Sequence, residues 1–182
     1  MAFKIKYLYL QSDRFFDFNN NTNTKYMPRP YAILFKKMKS DAPVVDTFDD
    51  WGIVCKEFPF QLYGEAKELP KNDWLDEDGD DEYIPSELKI AAYEVDVEFV
   101  YKGDANTANV NIKAFLDYLT GRGGTGAELM VYDTYTKIGR QSVRYVNVDD
   151  DVFWRQEEGG DVVVFVVTFK VNDPVTDITL SR

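Results

Sequence analysis

The alternation of apolar and polar positions is clearest between Tyr93 and Tyr101. Tyr93, Val95, Val97, Phe99 and Tyr101 fall on one side, and Glu94, Asp96 and Glu98 on the other. A period of two belongs to a β-strand with one face on a core and one in water. Lys102-Gly103-Asp104 then predicts a turn, and Asp104, Asn106 and Thr107 are each candidate helix N-caps. Beyond them the period changes. Ala108, Ile112, Phe115, Leu116 and Leu119 recur at helical spacing and form one apolar stripe. This predicts an amphipathic helix from Thr107 to Leu119, with Gly121 as the residue that ends it. A helix of about 13 residues is too short to persist alone, so it is expected to lie on a sheet.

The same reading predicts more strands on either side. Upstream, Met1 to Leu10 places Phe3, Ile5, Tyr7 and Tyr9 on one face. Phe15 to Tyr26 reads as a polar loop, and Tyr31 to Phe35 as a short strand after Pro28 and Pro30. Trp51 to Phe60 reads as a strand interrupted at Pro59, and Gln61 to Leu69 is ambiguous. Downstream, Ala127 to Thr134 and Ser142 to Val148 read as a hairpin turning around Lys137 to Arg140. Val152 to Arg155 is a short strand and Asp161 to Val171 the last one. Both faces of Val162 to Val167 are apolar, which predicts a central strand covered on both sides. The expected fold is therefore mainly β (α+β): a β-sandwich or bent antiparallel sheet with one packed helix. It forms a single domain over 1–182, with N-terminal strands and loops in 1–50 that could act as an assembly arm, a core in 51–174 and an extension in 175–182.

Composition narrows the chemistry. The 182 residues are 45% hydrophobic and 15% aromatic, enough for a real core rich in Phe and Tyr. The 32 acids exceed the 21 cations, for a formal charge of −11, which disfavours nucleic acid as a partner. There is no histidine, so the commonest general base and most zinc sites are absent. The single cysteine, Cys55, lies in an apolar stretch and reads as a core residue. No run approaches the roughly 18 apolar residues of a membrane span, and Lys4 and Lys6 break any secretory core in the first ten residues.

Three local patterns invite a functional reading. Gly121-Arg122-Gly123-Gly124-Thr125-Gly126 matches the dinucleotide fingerprint in letters, but a helix precedes it and a strand follows. A phosphate there would meet the wrong end of the helix, so it reads as a helix-to-strand loop. Six of the seven residues from Asp76 to Glu82 are acidic. The spacing fails the EF-hand register, leaving Asp76, Asp78 and Asp80 as weak calcium candidates. Trp51, Tyr63, Trp74 and Trp154 could stack on sugars or anchor a core or subunit interface. With 32 acids, paired carboxylates for hydrolysis carry no specificity. No nucleophile and base can be paired, so no catalytic residue and no cofactor is expected.

The order of strand, Lys-Gly-Asp turn, helix and closing strands resembles the core of tailed-phage tail proteins. It is most similar to the distal tail protein family. Three further segments carry the resemblance: Asp50-Trp51-Gly52-Ile53-Val54, the acidic stretch Asp76 to Tyr83, and the ending Thr168-Phe169-Lys170-Val171-Asn172-Asp173-Pro174. The resemblance spans Trp51 to Pro174 and leaves the related tube and terminator cores open. It implies a structural subunit of a phage or prophage tail, made in the bacterial host cytoplasm and carried in the virion tail. Such a subunit would form a ring, a hexamer by analogy, around an acidic channel, with itself and other tail proteins as partners. Candidate interface residues are Trp51, Trp74, Trp154, Glu94, Asp96 and Glu98. The alternative is a non-catalytic sugar- or calcium-binding β-sandwich.

Overall fold

The computed structural model describes residues 32–182, except 40, 56, 77, 150–152 and 158–159; the side chains of 102–103, 153–157 and 160–162 also lie outside it. The expected strand Met1 to Leu10 and loop Phe15 to Tyr26 fall outside the described residues.

Twelve elements follow one another: β1 (Ile33–Lys37), β2 (Val44–Asp46), α1 (Thr47–Trp51), β3 (Ile53–Cys55), β4 (Lys71–Asn72), β5 (Asp81–Glu82), β6 (Tyr93–Gly103), α2 (Ala105–Thr120), β7 (Glu128–Asp133), β8 (Gly139–Val148), β9 (Phe153–Glu157) and β10 (Gly160–Val171). Eight strands build one antiparallel sheet in the order β2-β1-β7-β8-β10-β6-β3. β9 pairs with the first half of β10, along the edge whose second half pairs with β8. β4 and β5 form a separate two-stranded hairpin. The fold is thus mainly β with helices, and the bent sheet is the arrangement adopted.

The bend can be read from the rings. Three strand spacings separate β1 from β10, about 14 Å in a flat sheet. Yet Phe35 on β1 and Phe169 on β10 have ring centroids only 6.1 Å apart. The sheet must curl so that one face becomes concave. Register shifts in the β7–β8 and β8–β10 ladders mark bulges where such curvature enters.

Helix α2 fills the concave face. Phe115 is fully buried, 5.1 Å from Phe99, 6.2 Å from Phe35 and 5.3 Å from Trp51. Asp104 caps the helix by accepting from the Asn106 amide at 2.9 Å. Tyr101, near the end of β6, lies by this cap, its hydroxyl 2.9 Å from Thr107 Oγ1. The predicted alternation of β6 holds, with Val95, Val97, Phe99 and Tyr101 buried and Glu94, Asp96 and Glu98 exposed.

Three expectations change. Trp51 does not begin a strand: it ends α1, which Asp46 caps and Gly52 closes at φ 69°. β3 is correspondingly only Ile53–Cys55. On β10, Val163, Phe165 and Val167 are buried while Val164 and Val166 are only partly so. The strand is central, but its outer face is less covered than the continuous apolar run predicts.

Candidate functional site

Two buried cations organise the ends of the sheet. Lys37 follows Ile33 and Phe35 on the inward face of β1 and is itself buried. Its ammonium donates to the carbonyl of Tyr118 and, at 2.6 Å, to that of Gly126, and sits 4.3 Å from the Tyr118 ring centroid. It therefore satisfies a carbonyl in the last turn of α2, where a cation also suits the helix dipole, and ties to it the loop that follows. Burial lowers its pKa to about 8. The glycine loop it holds is a helix terminator: Gly121 has φ 74°, and its amide and that of Arg122 return to carbonyls in the last turn. A side chain on Gly121 would meet the backbone of Gly126 at 2.5 Å. The loop is used for its backbone geometry, as the sequence reading expects.

Arg140 is the second buried cation. It donates to the Asp177 carboxylate, to the Gly139 carbonyl at 3.1 Å and to the Gln61 carbonyl at 3.3 Å. The C-terminal segment is held along its length. Asp173 accepts from Gln141 at 2.8 Å, the Ile178 amide reaches Gly139, and Arg182 pairs with Asp49 and Asp50 at 3.2 Å each. Burial alone would raise the Asp173 pKa, but hydrogen bonds from Gln141, Thr176 and Val175 outweigh it and hold the group at about 2.

Neither cation faces a reactive partner. Cys55 is buried, donates to the Glu57 carbonyl at 3.2 Å, and has its pKa pushed up first by desolvation. A buried thiol of this kind is not a ready nucleophile. Among the described residues no three His, Cys, Asp or Glu side chains converge as a metal site would require. Asp76 and Asp78 are exposed near the tip of the β4–β5 hairpin, and Asp80 is engaged by Lys71 at 2.6 Å.

The surface feature that stands out is the excursion between β3 and β6. It leaves the sheet edge, makes the β4–β5 hairpin, and returns through the Ala66–Ile90 bridge. Trp74 is half exposed and Leu75 fully so. Leu62, Tyr63, Tyr83 and Ile84 are also exposed. Of these, the sequence reading singles out Trp74 and Tyr63 by their rings; Leu62, Leu75, Tyr83 and Ile84 carry no periodic pattern that would mark them. The other interface candidates disperse. Trp51 is partly buried against Phe115 and Tyr118, and the Trp154 side chain lies outside the described residues. Glu94, Asp96 and Glu98 line the outer face of β6, where Asp96 accepts from Thr168 at 2.7 Å. Trp51 thus packs on α2, while Trp74 lies in the turn between β4 and β5.

No family model and no curated protein matches the chain. Among solved structures, the fold is similar to the crystal structure of the Dit protein (gp 19.1) of phage SPP1, described as a paradigm of the hub adsorption apparatus in phages that infect Gram-positive bacteria. The TM-score is 0.54 at 15% sequence identity, over 80% of this chain and 51% of that one. The chain thus spans about half the length of the structure it matches, and the likeness is one of fold.

Proposed function

We propose that this protein is a non-enzymatic structural subunit of a phage or prophage tail, of the distal tail type. The fold shared with the SPP1 Dit protein carries this reading, because it covers 80% of the chain. The site geometry supports it from the other side: the buried titratable groups serve structure, while the exposed apolar residues suit protein contacts. The subunit assembles with itself into a ring, a hexamer by analogy, and contacts other tail proteins. A charge of −11 on each copy, repeated around the ring, would make its channel repel passing DNA.

Light scattering over a wide concentration range, followed by electron microscopy of the largest species, tests the proposal. Closed rings with a central opening are the expected result. A strict monomer at every concentration would remove the ring.

A further inference from the structure

Between positions 62 and 84 the excursion exposes six large apolar side chains, Leu62, Tyr63, Trp74, Leu75, Tyr83 and Ile84, each by more than half. Single exposed apolar residues are ordinary, but a concentration of them marks a contact surface. The charge around them defines the partner. Residues 61–92 hold ten acids against three lysines, a net −7 within a chain of −11. The occupant should therefore be basic as well as apolar.

One stretch of this same chain has that chemistry. Residues 1–31 carry five cations, Lys4, Lys6, Arg14, Lys25 and Arg29, against Asp13 and Asp17, a net +3. They also hold eight aromatic residues, and Phe3, Ile5, Tyr7 and Tyr9 alternate with Lys4 and Lys6. The stretch joins the sheet at Ala32, just before β1, next to the β2 edge. The excursion leaves from β3, the opposite edge, and returns into β6. The curl brings these two edges toward each other: α1 joins β2 to β3 directly, and the rings of Phe35 on β1 and Phe58 at the start of the excursion lie 6.2 Å apart. Two different and complementary segments of one chain, when paired between copies, make a head-to-tail contact, the kind that closes into a ring when repeated by rotation.

We infer that residues 1–31 of one copy dock on the excursion 61–92 of the next copy. The inference rests on the proposed homo-oligomer and names its contact. The test uses two full-length variants. The first, K4E/K6E/R14E, turns the N-terminal stretch from +3 to −3. The second, D73K/D76K/D78K/E82K, turns the excursion from −7 to +1, and all four positions are exposed. Sedimentation velocity is expected to show that each variant self-associates about tenfold or more weakly than wild type. A mixture of the two should regain association, because each then meets an oppositely charged partner. Circular dichroism melts check that both remain folded.

Association of either variant at wild-type strength overturns the inference and leaves the tail reading standing. So does weakened association that mixing fails to restore, which would place the stretch on its own copy or the excursion on another protein. A wild-type chain that never associates removes the proposed ring together with this contact.

Discussion

At the scale of single residues, Lys37 and Gly121 hold the same junction by different means. Lys37 keeps an amine in an apolar setting, with its pKa lowered from 10.5 to about 8 by burial. Below pH 8 it is charged in both states, and burying the charge costs stability. Between about pH 8 and 10.5 the unfolded chain holds a proton that the folded chain has released, so stability rises with pH. Tyr118 limits this rise. Burial, and secondarily the Asp50 charge, push its pKa to about 12, so stability falls again as pH passes 10. Denaturant midpoints should therefore climb from pH 8 to 10 in the wild type and lose that climb in Lys37→Met. A flat wild-type profile would contradict this account of the buried amine. Gly121→Ala is expected to cost about 2–4 kcal/mol, since φ is positive and Gly126 blocks the methyl group. Gly123 and Gly124 have positive φ but open space, so alanine there should cost only about 1 kcal/mol, read in the same melts. Lys37 was hard to read in the sequence because charge at a strand end suggests solvent; only the carbonyls above it justify its inward place.

At the scale of elements, local chemistry was legible where a period ran long enough. β6 and α2 were both visible, and α2 extends the predicted Thr107 to Leu119 by only two residues at its N-terminal end and one at the other. α1 was not visible. Five residues carry no helical period, and Asp46 and Gly52 declare themselves as caps only once the chain between them is known to turn. The strength of α2 comes from what it covers. Phe115 touches rings from β1, β6, β10 and α1, so Phe115→Ala should cost about 3–5 kcal/mol. Val110 lies on the exposed side of the same helix, and Val110→Ala should change stability by only about 0.5 kcal/mol. Equal losses at both sites in urea unfolding would mean that the helix packs on a different face.

At the scale of the molecule, the candidate site depends on sheet order. Nothing along the chain says that β10 lies between β6 and β8, or that the root of residues 1–31 and the acidic excursion sit at opposite edges. The C-terminal segment shows the same dependence. Asp173, Asp177 and Arg182 look like an ordinary solvated tail in sequence, yet they reach Gln141, Arg140 and α1. The Tyr93-to-Tyr101 alternation was enough to separate a core face from an acidic face, because side-chain direction in a strand follows from backbone geometry alone. The stripe from Ala108 to Leu119 likewise decided that a helix must lie on a sheet, because a lone helix of that length does not persist. Tertiary structure decided the rest: the curl that brings Phe35 to Phe169, the burial of Lys37 and Arg140, and the exposure of Leu75 and Ile84. Those properties come from contacts between distant parts of the chain, and no local period encodes which strands become neighbours.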